Sequence, residues 1–208
     1  MLGYYNRSVI LTYIGLVAAI LGCRFALGGR VLGALLCLLA SGVCDMFDGT
    51  IARATKRSAE AQSFGIQIDS LCDCVSFGIL PAVILLSVSA GPAFAAVAAL
   101  YALAAVIRLG FFNVHEQIRQ QTSREDKTGV RGLPVTFAAW VIPSVFVFRP
   151  YMGARGFSLM LLAVMLAMAV LFVVDFPVNK PKRKWLLYGA GLLWIALMAA
   201  LLLFQRQL

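Results

Sequence analysis

The chain has 208 residues, of which 62% are hydrophobic and 13% charged, and carries a formal net charge of +9. That balance excludes an ordinary water-soluble domain, whose charged face meets solvent on every side, and predicts a single all-α, polytopic membrane domain over 1–208. A bilayer core takes about 20 apolar residues per helical crossing, so the length leaves room for roughly six to eight spans and little else.

Hydropathy and helix breakers predict seven transmembrane helices, near 8–27, 31–54, 63–89, 92–114, 132–149, 156–175 and 185–204. The first follows Arg7 and runs through Ile20-Leu21-Gly22-Cys23, an ending that superficially matches a lipoprotein cleavage site. The next span starts a few residues later, so a first transmembrane helix is expected instead of a leader. Gly28-Gly29, Ala90-Gly91-Pro92, Arg149-Pro150 and the segment from Pro177 to Pro181 supply the turns. Cys23, Cys37, Cys44, Cys72 and Cys74 lie in apolar runs without paired CxxC spacing and are read as reduced packing residues.

Orientation follows from the basic residues. With the N-terminus in the cytoplasm, Arg53-Lys56-Arg57, the Arg119 to Arg131 loop and Lys180 to Lys184 fall inside, leaving Arg24, Arg30, Arg149, Arg155 and Arg206 outside. The positive charge then serves topology and anionic lipid headgroups; no aromatic-basic pattern suggests nucleic acid.

Four aspartates interrupt the apolar runs. Asp45, Asp48, Gly49 and Ala52 stand at i, i+3, i+4 and i+7 in the second span, and Gly65, Asp69 and Asp73 at i, i+4 and i+8 in the third. The short connection from Lys56 to Ser63 makes the two helices antiparallel neighbours with facing acidic sides. An ionised aspartate at mid-membrane costs on the order of 3 kcal/mol, and these repel one another as well. Helix capping or pairing with Arg53 and Lys56 explains one such residue better than four. Carboxylates at successive turns of facing helices suit a hard divalent cation, Mg²⁺, Mn²⁺ or Ca²⁺. Gly49 and Gly65 permit close helix contact or approach of a ligand's phosphates. A cation or proton transporter is the rival class, but it calls for polar residues through the whole bilayer depth and broken-helix pairs, neither of which the sequence carries.

The pattern Asp45-x-x-Asp48-Gly49-x-x-Ala52-Arg53, eleven residues, then Gly65-x-x-x-Asp69-x-x-x-Asp73 resembles the signature of the CDP-alcohol phosphatidyltransferases. The stretches DSLCDCVSFGILPA (69–82), RLGFFNV (108–114) and GLP (132–134) resemble the phosphatidylserine synthase branch, CDP-diacylglycerol–serine O-phosphatidyltransferases, with RLGFFNV and the VDFPVNK segment the looser matches. The resemblance implies transfer of a phosphatidyl group from CDP-diacylglycerol to the hydroxyl of L-serine, with release of CMP, at a site holding one or two Mg²⁺ or Mn²⁺ ions. It implies Asp45, Asp48, Asp69 and Asp73 as metal ligands, Asp73 as general base, and Gly49, Ala52, Arg53 and Gly65 around the CDP moiety. It further implies a homodimer, and with the orientation given by the basic residues the site is expected to face the cytoplasm from the cell's inner membrane.

Arg108 and Asn113, at a cytoplasmic helix end, suit a substrate carboxylate or phosphate, and equally a positive-inside anchor and a helix C-terminal residue. His115, the single histidine, falls in a polar segment past the fourth span and is read as a solvated residue. Ser76, Phe77 and Gly78 shape either the alcohol pocket or a helix contact, and Trp140, Trp185 and Trp194 serve packing and interfacial anchoring. A sister transferase using glycerol phosphate or inositol phosphate would need more basic residues near the metals than Arg108 and Arg131, which favours a free amino acid.

Overall fold

The computed structural model describes residues 7–54, 58–122, 130–178, 191–198 and 200. Its helices are α1 (Arg7–Leu27), α2 (Val31–Ala54), α3 (Ala59–Asp73), α4 (Leu80–Val88), α5 (Pro92–Thr122), α6 (Ala138–Phe146) and α7 (Ala154–Val173). A π-helical segment, Cys74–Ile79, joins α3 to α4 without interruption, so the two cross as one span, Ala59–Val88. Among the described residues five stretches are long and apolar enough to cross a bilayer, the others being Val9–Leu27, Val31–Ile51, Pro92–Ile118 and Ala154–Val173. The chain is an integral membrane protein.

The sixth predicted span is a shorter apolar helix, Val135–Tyr151. Pro134 precedes it, Pro143 lies inside α6, and Pro150 sits in the turn that ends it, so the backbone cannot sustain a longer regular run. Of the seventh, 185–204, the described residues 191–198 and 200 are helical. The basic stretches Lys56-Arg57, Arg124 to Lys127 and Lys180 to Lys184, with Trp185 and Arg206, lie outside the described residues. The fourth span runs past its predicted end at 114 to Thr122, because the polar HEQIRQQT segment continues a helix that hydropathy alone does not follow. Beyond the helices there is one antiparallel pairing of two-residue strands, Val130 with Val178 and Arg131 with Pro177.

Local chemistry sets the helix ends. Gly29 takes φ of +71°, and the Arg30 and Gly29 amides donate back to Phe25 O (2.9 Å) and Ala26 O (3.0 Å), closing the end of α1 as a Schellman turn. Ser58 caps α3, its hydroxyl accepting from the Ala61 amide at 3.2 Å.

The α1–α2 contact is a seam of small residues. Thr12, Gly15, Ala19, Gly22 and Ala26 are buried at alternating spacings of three and four on α1. Cβ atoms built on Gly15 and Gly22 would lie 3.2 Å from Cys44 Cβ and 2.9 Å from Cys37 Cβ. The helices thus approach as closely as their backbones allow, and the Ser41 hydroxyl crosses the seam to Gly15 O at 2.9 Å. Behind this pair the core is built from Phe77, Leu80, Ile84 and Leu85 with Tyr101, Ala105, Ile142, Leu161, Met165 and Phe172, all fully buried. The Tyr101 hydroxyl donates to Phe77 O at 2.9 Å, satisfying a carbonyl in the π-helical segment, and its ring meets Phe172. Ile10, Ile14, Val17, Leu103 and Val170 are exposed on the outer faces, as a lipid-facing surface requires.

Candidate functional site

The end of α2 and the length of α3 carry the aspartates, and the fold brings them together. Asp45, Asp48 and Asp69 each offer a carboxylate oxygen lying within 4.8 Å of the others. Asp45, Asp69 and Asp73 line one side of a cavity of about 210 Å³, completed by Arg108, Leu109 and Phe112 of α5 and by Pro134, Val135 and Thr136. Asp48 is deeper, 6% exposed, and accepts a hydrogen bond from the Thr12 hydroxyl at 2.9 Å.

Ionised carboxylates at this spacing repel on the order of 3 kcal/mol per pair at an effective dielectric of about 20. Arg108 is the cation on the cavity wall among the described residues. It is 7% exposed, and its Nε donates to Leu133 O at 3.1 Å, which fixes the plane of the guanidinium. That carbonyl is itself held. Gly132, at φ of +74°, donates to Phe176 O at 2.8 Å, and the Leu133 amide to Leu171 O at 3.3 Å, so the 132–134 turn is clasped onto the end of α7. An all-oxygen set of three carboxylates, converging from two helices beside a cavity, fits a hard divalent cation.

The other expected residues are distributed unevenly. Gly49 follows Asp48 in α2, and Gly65 precedes Asp69 by one turn in α3; both are half-buried. Ala52 and Arg53 continue the last turn of α2, and their side chains lie outside the described residues. Asn113 stands at the α3–α5 contact, where it accepts from the Ser70 hydroxyl at 2.6 Å and donates to Gln67 Oε1 at 3.3 Å. His115 is exposed, with Nδ1 3.1 Å from Phe111 O and its ring against Phe111. Ser76, Phe77 and Gly78 are buried in the π-helical segment, and a Cβ built on Gly78 would stand 3.4 Å from Ala105 Cβ of α5. Trp140 stacks on Trp194 at 4.8 Å.

Thr12 and Thr136 were not anticipated. A lone threonine in an apolar run carries no sign of its partner; its place in line with Gly15, Ala19 and Gly22 was the available clue.

Residues 5–204 match the family model described as CDP-alcohol phosphatidyltransferase. The chain is 32% identical over 155 residues to a CDP-diacylglycerol–serine O-phosphatidyltransferase of Helicobacter pylori, a match covering 71% of this chain and 61% of that protein. It is 35% identical over 106 residues to the protein of the same name from Mycobacterium tuberculosis, covering 50% of this chain and 36% of that one. It is 28% identical over 174 residues to an archaetidylserine synthase of Methanothermobacter thermautotrophicus, covering 81% and 68% respectively. The matched region thus spans about a third of the mycobacterial relative and less than two thirds of the Helicobacter one.

Proposed function

The chain belongs to the CDP-alcohol phosphatidyltransferase family, and from that premise we propose that it is a phosphatidylserine synthase, transferring the phosphatidyl group of CDP-diacylglycerol to the hydroxyl of L-serine and releasing CMP. The observation that carries this reading is the meeting of Asp45, Asp69, Asp73 and Arg108 around one cavity. The acceptor follows from the relatives, whose bacterial and archaeal names both specify serine.

Asp45, Asp48 and Asp69, with Asp73 beside them, would hold one or two Mg²⁺ or Mn²⁺ ions. When bound, such ions supply positive charge to the pyrophosphate oxygens of the donor and to the charge that develops as CMP leaves. The rest falls to the protein. Asp73, on the cavity wall, accepts the proton of the serine hydroxyl as its oxygen attacks the lipid-bearing phosphorus. Arg108, held by Leu133 O, presents its remaining N–H groups to an anionic group, the serine carboxylate or a phosphate oxygen. Leu109, Phe112 and Val135 keep that part of the cavity apolar, which strengthens these polar contacts and limits competing water. Gly49, Ala52, Arg53 and Gly65 border the CDP moiety. Asn113 acts indirectly, tying α5 to α3 through Ser70 and Gln67 so that Arg108 faces the aspartates. We place the site at the cytoplasmic side of the cell's inner membrane, within one membrane domain over 1–208, in a protein that works as a homodimer.

The test is CMP release by the detergent-solubilised protein from CDP-diacylglycerol with Mn²⁺ or Mg²⁺, with and without L-serine. Serine-dependent, metal-dependent release that falls at least a hundredfold in Asp73→Asn supports the transferase and its base, since general-base catalysis contributes about 10²–10⁴-fold. Release with glycerol phosphate or inositol phosphate but not serine would keep the family and overturn the acceptor.

A further inference from the structure

Building on the metal-centre reading above, we propose that Thr12 is a positioning residue for the metal centre, engaging one oxygen of Asp48 so that the carboxylate meets the cation in a single orientation. The Thr12 hydroxyl donates to Asp48 Oδ2 at 2.9 Å, with Thr12 8% and Asp48 6% exposed. Asp48 belongs to the three-carboxylate cluster yet stands apart from the cavity wall formed by Asp45, Asp69 and Asp73. Its approach to a cation depends on rotation about χ2, a broad and shallow torsion along which a carboxylate can exchange its oxygens. A hydrogen bond to Oδ2 removes that freedom, and partners of this kind set ligand orientation and metal affinity.

The donor is rigidly placed. Thr12 is 8% exposed and occupies the rung of the α1–α2 seam next to Gly15. Gly15 lies against Cys44 and receives the Ser41 hydroxyl on its carbonyl, so α1 cannot draw back from α2 at that level. The same seam contains a comparison of purely structural kind. Ser41 bonds across it to Gly15 O, and within α2 to Cys37 O at 3.0 Å, both of them backbone carbonyls.

Mn²⁺ binding to the full chain in detergent, without either substrate, tests the proposal by titration of the free-ion electron paramagnetic resonance signal. Thr12→Val should raise the Kd at least tenfold, the lower end of the range for lost ligand-orienting partners. Thr12→Ser should bind as the parent does, and Thr12→Ala, with no branch to repack, should match the valine variant. Ser41→Ala should lower the melting temperature in chelator and leave the Mn²⁺ Kd unchanged. An unchanged Kd in Thr12→Val and Thr12→Ala overturns the proposal, and so does an equal loss in Ser41→Ala, which would make the effect one of seam packing. Parent binding that survives Asp69→Asn would instead refute the metal centre itself and the Thr12 role with it. The behaviour of Asp69→Asn distinguishes that failure from the first two.

Discussion

Replacing Gly132 by alanine tests whether the turn clasped on α7 sets the position of Arg108. The glycine has φ of +74°, a left-handed conformation that costs a residue with a Cβ about 1–2 kcal/mol. A Cβ there would stand 3.1 Å from Val174 O and 3.6 Å from Arg108 Nε. Val174 is anchored, its amide bonded to Val170 O at 2.9 Å, so the turn is what must give. That turn carries the Leu133 carbonyl to which Arg108 donates. Conformational strain and crowding together should lower stability by about 2 kcal/mol. For a chain of this length that is a fall of roughly 4–8 °C in melting temperature. In the CMP-release assay the serine KM should rise more than kcat falls, because the guanidinium is displaced while Asp73 is not. Gly132→Asn separates the two causes. Asparagine tolerates the left-handed region but brings the same Cβ, so it should recover part of the stability and none of the serine affinity. An alanine variant that melts and saturates with serine as the parent does would refute the argument.

Three further outcomes follow from the same contacts. Tyr101→Phe strands the buried Phe77 carbonyl and should cost about 1–3 kcal/mol, read as an earlier thermal transition with little change in serine KM. Mn²⁺ should raise the melting temperature of the parent, by about 2.7 kcal/mol of stabilisation at a hundredfold excess over Kd, and should not do so in Asp45→Asn; an equal shift in both would place the ion elsewhere. Asn113→Ala should destabilise the α3–α5 contact by about 1 kcal/mol while the KM for serine stays near that of the parent; a selective rise in KM would show that Asn113 meets the substrate directly.

The acidic cluster was legible in the sequence because helical periodicity is local. Asp45 and Asp48 on one face, and Asp69 and Asp73 on another, need only a short return to meet. What depended on distant partners was not legible. The place of Arg108 on the cavity wall depended on the 132–134 turn returning to it, and nothing in 108–114 specifies that return. The partners of Asn113, Ser70 and Gln67, lie more than forty residues away in the chain and were equally hidden. The length of α5 was underestimated because hydropathy marks the bilayer, whereas the backbone continues wherever helix-forming residues allow. The sixth helix, Val135–Tyr151, covers most of the stretch that apolar composition marked over 132–149, with Pro134 and Pro150 at its ends.

The π-helical turn after Asp73 was equally hidden, since Asp73 and Phe77 at i and i+4 read as one continuous α-helical face. In a regular helix they would point the same way, and the span would have to offer a carboxylate and a core phenylalanine to a single neighbour. The wider turn inserts about one residue's rotation, roughly 100°, between the two halves. One continuous rod thereby acts as a crankshaft, its lower throw set toward the cavity through Asp73 and its upper throw toward Tyr101, Ile142 and Leu161 through α4. Straightening Cys74–Ile79 into regular α-helix at its full length would turn one half by about 100°, so that whichever half kept its seat, the other would face the wrong partner.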